Sequence, residues 1–155
     1  MEIKLLRAGI ADAKELHAMQ IAAFRELLDT YRDFDTSPGN ESVEKTELRL
    51  QQEFTYFYFI CVDGQKAGAI RIVDTKESGK CKRISPVFIM PEFCGQGIAQ
   101  KAIALCEAIH GSEGWELDTI LQEPKNCHLY EKMGYRKTGR TESVNDRLTL
   151  VFYRK

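Results

Sequence analysis

The chain has 155 residues, 43% hydrophobic and 29% charged, with 22 basic side chains nearly balancing 23 acidic ones. This length suits one domain spanning residues 1–155, and such a chain buries roughly two thirds of its unfolded surface, enough for a core without disulfides or metal. Balanced charge argues against a nucleic-acid partner held by phosphate neutralisation. The longest apolar run, near 56–62, is far shorter than the roughly 18 residues of a membrane span. The opening MEIKLLRAGIADAKE turns charged too early for a signal peptide. Five cysteines, an odd number without CxxC spacing, fit a reducing compartment, so a soluble cytoplasmic protein is expected. Cys106 and His110 alone have ligand-like spacing, and two ligands do not close a metal site, so no metal is expected.

In chain order, Glu2–Arg7 reads as a short strand. From Asp12, read as an N-cap, Leu16, Met19, Ala23 and Leu27 recur at helical spacing. Pro38 and Gly39 break that helix within a polar stretch, and a second helix follows from Ser42, with Glu44 and Glu47 favouring its first turn. The period then changes. Thr55–Val62 is aromatic and β-branched, Asp63–Gly64 marks a hairpin, Lys66–Asp74 is the return strand, and Cys81–Met90 is a third strand stopped by Pro91. From Gly95 a helical stripe resumes as Ile98, Ala102, Leu105 and Ile109. Trp115–Leu121 is a strand, Pro124 opens a helix ending at Gly134, and Tyr135–Gly139 and Arg147–Tyr153 are the last strands. The order β-α-α-β-β-β-α-β-α-β-β describes a mixed α/β layer system, with hairpins first and a strand–helix–strand crossover later.

The most informative segment is VFIMPEFCGQGIAQKAI, residues 87–103. A strand ends at a proline, a loop bearing Gly95 and Gly97 follows, and an apolar-striped helix begins. Glycines let the backbone approach a ligand, and free amides at a helix start favour an anion. The spacing is neither a P-loop nor GxGxxG. Alone, the glycine pair is equally well read as a tight strand-to-helix turn.

The whole segment resembles the acetyl-CoA-binding motif of the GNAT superfamily of N-acetyltransferases, Gln/Arg-x-x-Gly-x-Gly/Ala after a strand ending in proline. It stands here as Cys94-Gly95-Gln96-Gly97-Ile98-Ala99, with Cys94 departing from the family's Gln or Arg. NCHLYEKMGY, residues 126–135, looks like the family's second signature, and the element order is the family's own. The resemblance covers nearly all the chain and is weakest over residues 29–54. It implies a single-domain GNAT-like α/β fold, a mixed and mostly antiparallel sheet flanked by helices. It also implies an enzyme that moves an acetyl group from acetyl-CoA to a primary amine, small molecule or peptide, in a ternary complex, with a homodimer as one open oligomeric state.

By the same resemblance, Val87, Phe88 and Ile89 line the acyl–pantetheine arm, with the Ile89 backbone polarising the acetyl carbonyl. Gly95, Gln96, Gly97, Ile98, Ala99 and Gln100 hold the pyrophosphate, and Asn126 contacts the cofactor. Tyr130 is the general acid facing the thioester sulfur, with a core tyrosine as the plainer reading. Cys94 reads first as a small packing residue, Glu123 as an ordinary helix-start carboxylate and His128 as surface. No general base is evident. Between Asp29 and Glu53 stand seven acidic and three basic side chains, a segment that could steer a cationic amine. Tyr31, Phe34, Tyr56 and Tyr58 could add an aromatic lining to that wall. Two alternatives stay open: a non-catalytic acyl-CoA-binding module, and an unrelated nucleotide-phosphate binder.

Overall fold

A computed structural model describes residues 1–155. Seven strands and four helices follow the expected order: β1 (Ile3–Arg7), α1 (Ala13–Tyr31), α2 (Val43–Gln51), β2 (Thr55–Val62), β3 (Gln65–Val73), β4 (Lys82–Ile89), α3 (Ile98–His110), β5 (Trp115–Ile120), α4 (Pro124–Lys132), β6 (Arg136–Ser143) and β7 (Thr149–Arg154). They form one sheet in the order β1-β2-β3-β4-β5-β7-β6, antiparallel except between β4 and β5. The C-terminal strand therefore does not lie at an edge. β7 runs between β5 and β6, and β1 and β6 are the edges.

The sheet is covered on both faces, which explains why β2 reads as a continuous apolar run rather than an alternation. One face of β2 sends Tyr58, Ile60 and Val62 against α3 and α4, in a core that includes Ile98, Ala102, Ile103, Cys106, Trp115 and Tyr130. The other face sends Phe57 and Phe59 towards α1, where Leu16, Ala69 and Phe88 join them. The expected α3 stripe is half right. Ile98 and Ala102 are buried, but the stripe continues through Ile103 and Cys106, leaving Leu105 and Ile109 exposed. Asp12 does precede α1, yet its carboxylate accepts from the Gly9 amide (2.8 Å) and so caps the preceding 3-10 turn. Ser42 caps α2 through the Lys45 amide, 3.3 Å away.

Two features of the sheet shape its centre. β4 and β5 pair at only two positions, Lys82 with Trp115 and Arg83 with Glu116, and then separate. An ion pair between Arg83 and Asp118 sits beside that short join. Next, β3 and β4 are drawn close at Gly68, where an added Cβ would lie 2.1 Å from the Phe88 carbonyl oxygen. The close approach fixes the C-terminal half of β4 against β3, leaving its other edge facing the gap.

Candidate active site

The gap between the diverging strands is bounded by Ile84–Ile89 on one side, Leu117–Ile120 on the other, and the starts of α3 and α4 at its open end. Backbone amides along a strand point alternately to its two neighbours. The Met90 amide donates to the Ala67 carbonyl on β3 (2.7 Å), so the Ile89 amide faces the gap. Val87 and Ile89 are half-buried there, whereas the Phe88 side chain packs into the α1-side core. Of the three residues expected to line an acyl arm, Phe88 contributes backbone only.

Pro91 turns the chain out of β4, and the loop to α3 passes through Gly95 (φ 80°) and Gly97 (φ 73°). At these left-handed positions an added Cβ would meet nothing within 4 Å, so the loop faces open space. Gly97 precedes α3 and has no side chain to cap it. As a result the six consecutive amides of Gly95, Gln96, Gly97, Ile98, Ala99 and Gln100 have no hydrogen-bond partner within the chain, and the first bond is Lys101 to Gly97. Six free donors at a helix N-terminus form a concave, positively polarised surface suited to a pyrophosphate. The residues present therefore fit the phosphates of acetyl-CoA without any basic side chain.

Across the gap, α4 carries Asn126 and Tyr130 one turn apart. The Asn126 carboxamide makes no hydrogen bond within the chain and is partly exposed. Tyr130 is buried in the core, its ring 5.9 Å from Tyr135 and 6.2 Å from Tyr153. Its hydroxyl is neither paired by the chain nor sealed from solvent. Burial, with the nearby Asp118 carboxylate and Cys127 adding to it, pushes the Tyr130 pKa well above the ordinary phenol value. The phenol thus keeps its proton at neutral pH, as an acid must.

Several residues lie elsewhere than expected. Cys94 is exposed, with Sγ 3.5 Å from the Met90 carbonyl and 3.7 Å from that of Ile89, and is not a packing residue. Its position just after the three-residue turn Pro91–Phe93 and before two exposed glycines keeps it out of the core. Glu123 does stand at the start of α4 as its N-cap residue, its carbonyl accepting the Asn126 and Cys127 amides, but its side chain makes no capping bond. Its carboxylate accepts the Tyr31 hydroxyl, a bond that, with burial and the carboxylate charge, pushes the Tyr31 phenol up to about 12. His128 is exposed, as expected of a surface residue. Tyr56 and Tyr58 do not wall the acceptor side. They lie at the N-terminal end of β2, beside His110, because β2 enters the sheet at the end remote from the α3 N-terminus. Cys106 is buried and His110 bonds Tyr58 and Asp74, and no three His, Cys, Asp or Glu side chains gather as a metal site.

The acidic segment is partly spent internally. Glu41 is held by Arg49 through two bonds (2.7 and 3.1 Å), and Asp33 accepts from the Asp35 and Thr36 amides. Asp29, Asp35, Glu44 and Glu53 remain exposed. A contact that the sequence did not suggest brings part of this segment to the gap. Asn145 in the β6–β7 loop donates to the Tyr31 carbonyl (2.9 Å), Arg147 donates to that of Thr30 (3.3 Å), and Tyr31 reaches Glu123. The end of α1, the start of α4 and the last hairpin thus meet at the mouth. The partners are 92 to 117 residues apart, and no local pattern announces them.

Comparisons with known proteins agree with this geometry. A family model described as the acetyltransferase (GNAT) family matches residues 5–135. No curated protein matches by sequence. Among solved structures, spermidine N-acetyltransferase from Vibrio cholerae in complex with CoA and spermine superposes with TM-score 0.76 at 17% identity, over 97% of this chain and 93% of that one. PaiA N-acetyltransferase from Thermoplasma acidophilum in complex with coenzyme A gives 0.72 at 15% identity, over all of both chains. The RimL ribosomal L7/L12 alpha-N-protein acetyltransferase in complex with CoA gives 0.71 at 16%, over 97% of this chain and 92% of that one. With a splayed parallel strand pair, a bare-amide loop at its open end and a family match across most of its length, the chain belongs to the acetyltransferase (GNAT) family.

Proposed function

We propose that this N-acetyltransferase passes the acetyl group of acetyl-CoA directly to a cationic primary amine held beside it in a ternary complex, with residues 1–155 acting as one unit. The observation that carries the reading is the run of six unpartnered amides, Gly95 to Gln100, at the open end of the β4–β5 gap. They bind the pyrophosphate, Asn126 contacts the same cofactor, and the backbone of Val87, Phe88 and Ile89 accompanies the pantetheine. The Ile89 amide, facing the gap, donates to the oxygen that gains charge as the amine attacks. Tyr130 gives its proton to the departing thiolate. An aliphatic amine is protonated at neutral pH and must lose a proton before it attacks. Glu123 is engaged by Tyr31 and is not assigned that task, and water carries the proton away.

The exposed carboxylates of the 29–53 segment support a cationic acceptor by raising its local concentration. Similarity to a spermidine acetyltransferase supports the same choice. Five free cysteines support a reducing, cytoplasmic setting, and no helix is long and apolar enough to cross a membrane. A homodimer formed by strand pairing would use β1 or β6, the two sheet edges.

The test is release of free CoA thiol from acetyl-CoA across an amine panel containing spermidine, spermine, monoamines and peptides with free N-termini. Thiol release with polyamines above the monoamines supports the proposal. Acetyl-CoA binding with no thiol release from any amine would favour the non-catalytic acyl-CoA-binding module.

A further inference from the structure

At the opposite end of α3, about 20 Å along its 13 residues, lies a second recess of about 600 Å³. It is lined by Arg7, Tyr56, Tyr58, Asp74, Lys76, Lys82 and His110, with Ile109 at its rim. Arg7, Lys76 and Lys82 have no carboxylate within ion-pair distance, although the chain carries more acidic than basic residues. Neutral partners hold them instead: Lys82 Nζ donates to the Glu113 carbonyl (2.8 Å), Arg7 donates to the Thr55 carbonyl (3.3 Å), and ring faces order all three. The Arg7 guanidinium lies 4.6 Å from the Tyr56 centroid, Lys76 Nζ 5.8 Å from the same ring, and Lys82 Nζ 5.1 Å from Trp115. A ring face orders a cation without neutralising it.

The one carboxylate in the recess is turned to structural use. Asp74 accepts the Lys76 amide through one oxygen (3.0 Å) and contacts His110 Nδ1 through the other (3.3 Å), while His110 Nε2 meets the Tyr58 hydroxyl at 2.9 Å. Lys76 itself has left-handed backbone, φ 58°. Glycine would relieve that conformation, but only a long cationic side chain reaches over Tyr56. Three positive charges against one committed carboxylate leave an excess of two, above a floor whose imidazole and Tyr58 hydroxyl are already bonded to each other and to Asp74.

We propose that this recess binds a dianionic oxyanion, inorganic phosphate or the phosphate of a phosphomonoester, at a site separate from the acetyl-CoA cradle. Arg7, Lys76 and Lys82 supply charge-assisted hydrogen bonds, and the Tyr58–His110–Asp74 chain fixes the floor. The site does not rest on the acetyl-transfer reading.

Trp115 is the only tryptophan, with its ring 6.5 Å from His110 and beneath Lys82, so its fluorescence reports on this recess. The experiment titrates the full chain, saturated with CoA to fill the glycine-loop cradle, with inorganic phosphate and separately with methyl phosphate at constant ionic strength. A saturable change is expected, with the dissociation constant raised at least about tenfold in Lys76→Ala and in Arg7→Ala. Tighter binding of methyl phosphate identifies an ester, and tighter binding of inorganic phosphate the free anion. Melting curves check that both variants are folded, and Lys76→Ala, on an exposed turn, serves alone where Arg7→Ala unfolds. A non-saturable response, the same response to potassium chloride, or saturation unaffected by the substitution overturns the site.

Discussion

Tyr130 serves two purposes with one side chain. Its ring fills the core between Tyr135 and Tyr153, while its hydroxyl is left without a partner from the chain. Tyr130→Phe keeps the ring and removes only the proton. It should lower kcat by about 10²-fold, the lower range for a general acid, while the acetyl-CoA dissociation constant stays near its original value. Steady-state kinetics with a calorimetric binding curve reads both. Full turnover in the variant would return Tyr130 to a packing role. His110 makes a separate prediction. Burial lowers its pKa below the usual 6.5, only partly opposed by the Asp74 hydrogen bond. The unfolded chain therefore takes up the proton first, so this contribution to stability is intact above about 6.5 and is lost as pH falls towards the folded value. Melting temperature should decline through that window, and His110→Gln should flatten the decline.

At the scale of elements, strand β4 decides the site. It is pressed onto β3 at Gly68 and released from β5 after two rungs. Gly68→Ala places a Cβ against backbone that no rotamer change can move aside. A loss of about 1–3 kcal/mol, the usual range for overpacking, is expected in denaturant unfolding. A weaker acetyl-CoA affinity should accompany it, because the β4 edge that faces the gap is displaced. Unchanged stability would mean that β4 is free to move there. The element order was legible in the sequence because each change of period coincides with a change of element, as from α2 into the aromatic Thr55–Val62 run. The rotation of α3 was not. Its apolar residues occupy more than one face, so Leu105 and Ile109 fitted the spacing as well as Ile103 and Cys106 do, and only packing against the sheet distinguishes them. The glycine loop was legible because free amides follow from backbone geometry alone. The mouth formed by Tyr31, Glu123 and Asn145 was not, since it depends on how three distant segments converge.

Over the whole molecule, near-neutral composition hides a separation of charge. Exposed Asp29, Asp35 and Glu44 belong to the α1–α2 segment, and Arg7, Lys76 and Lys82 cluster at the far end of α3. Attraction of a cationic acceptor to exposed carboxylates is screened within about 8–10 Å at 0.1–0.15 M salt. The KM for spermidine should therefore rise as salt is raised from low to physiological strength, while that for a neutral-tailed monoamine changes less. Equal salt responses would remove the acidic segment from acceptor recognition.

The two-rung join between β4 and β5 has a mechanical consequence. It makes the sheet two leaves, β1–β4 and β5–β7, sharing a narrow spine at Lys82–Trp115 and Arg83–Glu116. A ligand that hydrogen-bonds along the Ile89 edge and also touches α4 would act as a splint across that spine, damping the twist of one leaf against the other. The slowing should be felt away from the binding residues. On addition of CoA, amide exchange should slow at the spine itself, where the Lys82 amide meets the Gly114 carbonyl at 2.7 Å, as well as in the glycine loop.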